Sequence, residues 1–175
     1  MTGAGTIYAI GNMLRFWHET SKITETLTMK HKILFVCHGN ICRSPMAEFM
    51  MKRLVSEAGR EAEFEINSVA TSTEEIGNDM YPPARRCLRA HGVPFEHRRA
   101  RQITQADYDH FDSIFVMDRN NLRWLHMIGI DDSAHKVRLL MSLVGEERDV
   151  ADPWYTGDFE QTYRDISMAL PTLLA

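Results

Sequence analysis

Cysteine is scarce in this chain, which has only Cys37, Cys42 and Cys87 among its 175 residues. Three unevenly spaced cysteines cannot build the disulfide framework of a small secreted domain, so we predict a reducing, cytoplasmic location. Long apolar runs are also missing. The stretch from Ile7 to Trp17 is interrupted by polar residues, lacks a basic leader and is too short to cross a bilayer. Neither a signal peptide nor a membrane anchor is predicted.

An excess of positive charge is absent as well, because the formal net charge is -4. A chain without a broad basic field has no strong electrostatic attraction to nucleic acid or anionic lipid, so we expect neither as a partner. Apolar residues make up 44% of the chain and charged residues 25%, which is typical of soluble globular proteins. The length fits one domain with a sizeable core.

Strand and helix patterns alternate from Lys32 onwards. The continuous apolar run Ile33 to Val36 predicts a central strand of a parallel sheet, covered on both faces. A helix follows it, with Ser44 as its N-cap and Pro45 at its first helical position. Three further strands and four further helices are predicted: strands near 64–68, 113–117 and 137–141, and helices near 83–91, after the Thr104 and Asp107 cap, 121–127 and 159–170.

This alternation predicts an α/β fold: a single domain with a doubly wound, four-stranded parallel sheet and helices on both of its faces. The ligand site of such a fold is expected at the carboxyl ends of the strands. Residues 1–30 show no clear pattern, and we interpret them as an N-terminal extension. Because Met13 and Met29 are also possible start positions, the extension is either a genuine appendage or an overlong reading of the gene.

One loop carries a chemical signature at the carboxyl end of the first strand. It contains a cysteine and an arginine separated by five residues: Cys37, His38, Gly39, Asn40, Ile41, Cys42, Arg43 and Ser44. A loop that wraps onto a helix N-terminus turns several backbone N–H groups toward one point, where the helix dipole adds positive potential. We therefore predict a phosphate-binding loop, in which Gly39 supplies the unusual backbone angles.

The same positive potential favours the thiolate form of Cys37, which is the nucleophilic form of cysteine. The planar guanidinium of Arg43 can hold two phosphate oxygens at once and stabilise charge in the transition state. The hydroxyl of Ser44 can donate to the sulfur and assist it as nucleophile and as leaving group. The residue types therefore indicate attack of Cys37 on a phosphate ester.

A nucleophile of this kind needs an acid that protonates the leaving oxygen and later activates water. Asp152 is the candidate, because it precedes a proline on a stiffened turn next to Trp154 and Tyr155. The two aromatic rings would flank the ring of an aryl phosphate. Together with His38 and Glu74, they are the predicted walls of the substrate site.

The chain from Lys32 to Leu170 closely resembles the low-molecular-weight protein tyrosine phosphatases, through the segments 36–48 and 152–155. The resemblance implies a phosphatase domain over residues 31–175 that hydrolyses phosphotyrosine through a phosphocysteine, with no metal or other cofactor. Cys37, Arg43 and Asp152 would be catalytic, and Asp118 would orient Arg43. Phosphotyrosine proteins are the implied partners, among them a bacterial tyrosine kinase, and a monomer is expected.

Further roles are implied by the resemblance alone. Asn40 would hold the shape of the loop, and Cys42 would form a reversible disulfide with Cys37. The chain departs from the family at the position where a histidine usually contacts the loop asparagine. Arg98 occupies that position and His97 is displaced by one residue, so His97 receives no role.

Three alternative functions stay open on the same sequence, whereas a zinc site built from Cys37, Cys42, His31 and His38 is discounted. Arsenate reduction would need further cysteines, whereas Cys87 stands alone outside the loop. A phosphoarginine phosphatase of this family would have a threonine in place of Ile41 and would lack the aromatic pair. A non-catalytic phosphate-binding module would be expected to lose Cys37 or Asp152. A zinc site built on the loop cysteines fits no standard spacing.

Overall fold

Four parallel strands form the central sheet of the computed structural model, which describes residues 30–175. They are β1 (His31–Cys37), β2 (Phe64–Ala70), β3 (Ser113–Val116) and β4 (Val137–Leu139). Their order across the sheet is β2-β1-β3-β4, and every neighbouring pair is parallel. The predicted fold class is confirmed. The fourth strand is shorter than predicted, because residues 140–144 form a 3-10 helix.

Six α-helices accompany the sheet within residues 30–175. They are α1 (Arg43–Glu57), α2 (Pro82–Ala90), α3 (Gln105–His110), α4 (Arg119–Met127), α5 (Pro153–Thr156) and α6 (Phe159–Ala169). The predicted cap of α3 is confirmed, since Thr104 Oγ1 accepts a hydrogen bond from Asp107 N and the Asp107 carboxylate accepts one from Thr104 N. The short helix α5 occupies the segment that was predicted to be a turn.

Side chains of β1 alternate between two apolar cores, one on each face of the sheet. Phe35 packs in the core that contains Met46 of α1 and residues of α6. Leu34 packs in the opposite core, with Tyr108 of α3 and Leu125 of α4. Full burial of one such side chain stabilises the fold by about 1.5–3 kcal/mol, so a strand buried on both faces is firmly held. The sheet therefore fixes Cys37, the buried last residue of β1, at the carboxyl end of a firmly held strand.

The start of α1 differs from the prediction. The helix begins at Arg43 after Cys42, whose side chain makes no capping hydrogen bond. Ser44 is therefore the second helical residue and not the N-cap, and Pro45 is the third residue and not the first. Pro45 fits there because the first turn of a helix leaves its N–H groups without helical partners. Ser44 is free to bind the loop instead.

No helix within residues 30–175 is long and apolar enough to cross a membrane. The predicted extension lies outside the described residues, apart from Lys30 at its end. Its boundary with the phosphatase domain stays a prediction, although residues His31–Ala175 form one compact unit.

Candidate active site

The loop between β1 and α1 curls around the sulfur of Cys37. The backbone N–H of Asn40 donates a hydrogen bond to Cys37 Sγ at 3.3 Å, and Ser44 Oγ lies 3.0 Å from the same sulfur. Ser44 Oγ also accepts a hydrogen bond from Asn40 Nδ2 at 2.9 Å, and its own hydrogen can point either at the sulfur or at the Val69 carbonyl oxygen 3.4 Å away. Hydrogen-bond donors around a sulfur stabilise its anionic form. The geometry thus supports the role predicted for Ser44.

The left-handed residue of the loop is Asn40, with φ of 57°, and not Gly39. The prediction that Gly39 supplies an unusual backbone angle is therefore wrong. Asparagine tolerates the left-handed region better than most residues, and here its side chain is anchored by Ser44 and Ser68. A Cβ atom at position 39 would lie 3.1 Å from the flexible side chain of Glu75, a close contact that a shift of a few tenths of an ångström would relieve.

Arg43 is buried at the base of the site and holds two carboxylates. Its Nη1 donates to Asp118 Oδ2 at 2.5 Å and to the carbonyl oxygen of Val150 at 3.1 Å, while Nη2 donates to Asp152 Oδ2 at 2.5 Å. Burial disfavours the charge of Arg43, but the surrounding negative groups, with Cys37 first, hold its pKa above the usual value. The predicted pairing of Asp118 with Arg43 is present, and Asp118 also caps α4.

One nitrogen atom of the Arg43 guanidinium has no hydrogen-bond partner within residues 30–175. This atom, Nε, is buried. An unsatisfied buried N–H group destabilises the protein by about 1–3 kcal/mol, and by more when the group is charged. Such a donor therefore indicates a position where a ligand atom could accept a hydrogen bond. A phosphate oxygen would satisfy it.

Asp152 reaches the site from the far end of the chain. The segment before it is tied to the end of β3 by the hydrogen bond from Val150 N to the carbonyl oxygen of Met117 at 2.8 Å. Asp152 is the N-cap of α5, since its Oδ1 accepts from Trp154 N at 3.1 Å. The other carboxylate oxygen faces Arg43. The cap therefore fixes the carboxyl group beside the phosphate-binding loop.

A small pocket of about 120 Å³ joins most of the predicted site residues. Its lining contains Cys37, His38, Gly39, Ile41, Cys42, Arg43, Glu74, Glu75, Asp152, Trp154 and Tyr155. Asn40 and Ser44 do not line it, because their side chains are fully buried behind the loop. Asp118 lines a neighbouring cleft that shares His38, Arg43, Asp152 and Tyr155 with the pocket. Residues 37–44 and 152–155, far apart in sequence, thus form one site.

Comparison with known proteins places this geometry in a family. The family model described as low molecular weight phosphotyrosine protein phosphatase matches residues 32–175. The chain belongs to this family. The low molecular weight protein-tyrosine-phosphatase YfkJ of Bacillus subtilis is 39% identical over 145 residues, which cover 82% of this chain and 93% of YfkJ.

Solved structures agree with this membership. The crystal structure of YfkJ matches with a TM-score of 0.78 at 35% identity, over 83% of this chain and 92% of YfkJ. The low molecular weight protein tyrosine phosphatase SP-PTP of Streptococcus pyogenes has a TM-score of 0.73 at 38% identity, covering 83% and 91%. The Drosophila arginine phosphatase DARP matches at 30% identity with a TM-score of 0.73, covering 82% and 95%. The fold alone therefore does not choose between the two substrates.

Arg98 contacts the phosphate-binding loop, although the sequence analysis assigned it no role. Its Nη1 donates to the Asn40 carbonyl oxygen at 2.8 Å and its Nη2 to Asn40 Oδ1 at 2.9 Å. Nη2 also donates to the carbonyl oxygen of Ser68 at 3.1 Å, and Glu48 lies 3.7 Å away. His97 points elsewhere and pairs with Asp79 at 2.9 Å. The arginine thus contacts the loop asparagine, as the family histidine usually does.

We predict that Arg98→Ala lowers kcat for aryl phosphate hydrolysis by about 10–100-fold, because a shift of the loop by a fraction of an ångström misplaces the sulfur. Steady-state kinetics on p-nitrophenyl phosphate measures the effect. Arg98→His, which restores the residue type usual in the family, should recover part of the rate. The exposed neighbour Arg99 provides the control, and Arg99→Ala should match wild type. Equal rates for Arg98→Ala and Arg99→Ala would contradict a positioning role.

The second loop cysteine differs from the first in its surroundings. Cys42 is buried, and burial raises the pKa of its thiol, an effect to which the charges of Cys37 and Asp152 add. Cys42 is therefore a protonated thiol at neutral pH and a poor nucleophile. Cys37, Cys42 and Cys87 are all free thiols in this structure. A disulfide between Cys37 and Cys42 stays a prediction.

The rim of the pocket contains residues that the sequence did not indicate. Trp124 packs edge-on against His38, with ring centroids 5.6 Å apart, and Tyr81 supports Trp154 at 4.9 Å. The His38 ring lies 3.1 Å from the Glu74 carboxylate. Trp124 and Tyr81 lie on separate parts of the chain without a motif around them, so only the fold could show that they meet the site.

Proposed function

We propose that this chain hydrolyses phosphotyrosine in proteins, with Cys37 as nucleophile, Arg43 as phosphate ligand and Asp152 as general acid and base. The observation that carries the proposal is the shared pocket in which these three side chains meet, at the base of which Arg43 keeps one buried donor unpaired. Family membership supports the same activity. The roles of the individual residues follow from the geometry around the sulfur.

Binding of the substrate begins with an exchange of partners at Arg43. A phosphate dianion in the loop would accept from Nε and would compete with Asp152 for Nη2. Asp118 stays bound to Nη1 and keeps the guanidinium in its plane. Substrate binding therefore releases the Asp152 carboxylate from Arg43, so that it takes up a proton from solvent and turns toward the leaving oxygen, while Arg43 holds phosphorus in line with the sulfur.

The first chemical step transfers the phosphoryl group to sulfur. The bond from Cys37 Sγ to phosphorus forms as the bond from phosphorus to the phenolic oxygen breaks, and Asp152 gives its proton to that oxygen. Negative charge on the transferred group is stabilised by Arg43 and by the backbone N–H groups of the loop. The dephosphorylated tyrosine side chain of the substrate protein leaves the site with the proton, and phosphocysteine remains.

The second step returns the enzyme to its starting state. Asp152, now ionised, takes a proton from a water molecule, whose oxygen attacks phosphorus. The phosphorus–sulfur bond breaks, and Cys37 leaves as a thiolate that accepts from Asn40 N and faces the hydroxyl of Ser44. Inorganic phosphate is released, and Asp152 loses its proton to solvent as it pairs with Arg43 again. The same two contacts thus assist the sulfur when it attacks and when it leaves.

Preference for an aromatic ester is proposed from the walls of the pocket. Trp154 and Tyr155 are 52% and 83% exposed, so their faces are accessible to a phenyl ring that enters between them and the loop. Stacking and edge contacts between aromatic rings contribute about 0.5–1.5 kcal/mol beyond the area they bury. An alkyl phosphate or a phosphoguanidinium group would not make the same contacts.

The substrate proposal is tested by comparing kcat/KM for peptides that carry phosphotyrosine, phosphoserine or phosphoarginine at one fixed position. We expect phosphotyrosine to be preferred over phosphoserine by about tenfold or more, a difference of about 1.4 kcal/mol. Trp154→Ala should reduce the ratio of kcat/KM for phosphotyrosine to kcat/KM for phosphoserine. Its kcat/KM for small alkyl phosphates should change less. Faster turnover of phosphoarginine than of phosphotyrosine would contradict the proposal and would favour arginine phosphatase activity, which the name of the Drosophila relative DARP states for that protein.

Partners and assembly are finer proposals that rest on the resemblance to bacterial family members. We propose a tyrosine kinase as one physiological substrate, a monomer as the working form and the cytoplasm as the location.

Light scattering of the full chain tests whether it is a monomer. Capture of phosphorylated kinase by an inactive Cys37 variant, with release by phosphotyrosine, tests the substrate.

A further inference from the structure

A second cluster of reactive side chains lies away from the phosphate-binding loop. Cys87 of α2, His91 directly after α2 and Glu160 of α6 bring three potential metal-ligand atoms within 4.8 Å of one another. Cys87 and His91 are four residues apart, so consecutive helical turns place them on one side of α2. Glu160 enters from the first turn of α6. Two packed helices thus supply a sulfur, an imidazole nitrogen and a carboxylate.

The distances in this cluster suit a small divalent cation. Cys87 Sγ lies 3.5 Å from Glu160 Oε1, and His91 Nε2 lies 2.8 Å from Glu160 Oε2. Bond lengths of about 2.0–2.3 Å to zinc put tetrahedral ligand atoms about 3.3–3.8 Å apart. The separation of 3.5 Å lies inside that range, and the separation of 2.8 Å lies below it. Small side-chain rotations would therefore give three bonds to one ion.

Neighbouring groups hold the ligands in place. The His91 ring stacks on Tyr163, with centroids 3.7 Å apart and planes 10° apart, and Arg53 binds the His91 carbonyl oxygen at 2.8 Å. Fixed orientation of a ligating imidazole is a feature of protein metal sites. Cys87 is only 6% exposed, whereas the side chains of His91 and Glu160 are 35% and 53% exposed. An ion can therefore enter from solvent, where a water molecule can complete its coordination.

We propose that Cys87, His91 and Glu160 form a binding site for a divalent transition-metal ion of the Zn²⁺ class, with water as the fourth ligand. Sulfur and imidazole ligands select such ions over Mg²⁺ and Ca²⁺, which prefer oxygen. Because a ligating cysteine is a thiolate, binding of the ion would release the Cys87 proton to solvent. The ion would link α2 to α6.

The experiment must separate this site from the thiols of the active site. The chain has three cysteines, so the full-length double variant Cys37→Ser with Cys42→Ser keeps Cys87 as its only thiol. Titration of this variant with Co²⁺, which takes the place of Zn²⁺, should give a thiolate-to-cobalt charge-transfer band that saturates at one equivalent. Zn²⁺ should then abolish the band by displacement. A spectrum without this band would overturn the proposal.

Variants at the two half-exposed ligands show whether all three residues act together. In the same background, His91→Gln and Glu160→Gln should each weaken cobalt binding by about tenfold or more, as loss of a ligand does. The matched control is His110, whose Nε2 lies 2.8 Å from Glu65 Oε1 in an exposed ion pair. His110→Gln should bind cobalt like the parent. If all three variants bind alike, His91 and Glu160 form an ion pair only and the proposed site is refuted.

Discussion

Replacement of Cys37 by serine is expected to lower kcat for phosphotyrosine hydrolysis by about 10⁴-fold or more, which is the scale on which loss of a covalent nucleophile acts. A serine hydroxyl is almost fully protonated at neutral pH, and neither hydrogen-bond partner that the sulfur has within residues 30–175 is a base. The surroundings of the sulfur, Asn40 N and Ser44 Oγ, are donors that stabilise an anion and do not remove a proton. Steady-state kinetics on a phosphotyrosine peptide measures the loss.

The same variant should still bind phosphate, and this provides its control. Arg43 and the backbone N–H groups of the loop are unchanged by the substitution, and the removal of an anionic sulfur lowers repulsion of the dianion. Calorimetry with inorganic phosphate should therefore give an affinity equal to or higher than that of wild type. Turnover within tenfold of wild type would exclude Cys37 as the nucleophile. Loss of both turnover and phosphate binding would point to a collapsed loop.

The core of the site could be predicted from sequence because its determinants are local. The apolar strand ends at Cys37, and a helix begins at Arg43 after the short loop 38–42. This local order places the backbone N–H groups of the loop at a strand end, independently of the rest of the chain. Asp152 was predictable from its neighbours Pro153 and Trp154. That it meets Arg43, 109 positions earlier in the chain, required the parallel sheet and the anchor at Val150.

The support of the loop was not predictable, because it depends on contacts between distant segments. Arg98 and Asn40 are 58 residues apart, and no periodicity links them. Capping rules also favoured Ser44 as an N-cap, but its hydroxyl is used by Cys37 and Asn40. Gly39 was expected to supply the unusual backbone angles of the loop because glycine is permissive, whereas the positive φ lies at Asn40, whose side chain has buried partners. Tertiary contacts overrode local preference at each of these positions.

Arg43→Lys should lower kcat/KM for phosphotyrosine by about 10³-fold or more, although it keeps the positive charge. Loss of a single transition-state donor costs about 10²–10³-fold, and arginines that bind transferred phosphoryl groups contribute about 10³–10⁵-fold. The guanidinium binds Asp118 and Val150 through Nη1 and Asp152 through Nη2, with Nε still free. One ammonium group cannot hold Asp118 and also present two donors to phosphate in a fixed plane.

Arg101 is the matched control for this charge-conserving change. It makes a bidentate ion pair with Asp107, at 2.7 Å through both terminal nitrogens, but its side chain is 48% exposed and lies outside the pocket lining. Exposed ion pairs contribute about 0–1 kcal/mol, so Arg101→Lys should leave kinetics and stability close to wild type. Circular dichroism would confirm that both variants fold. A rate for Arg43→Lys within tenfold of that for Arg101→Lys would show that charge alone suffices, and that the planar fork of Arg43 does not orient the phosphate.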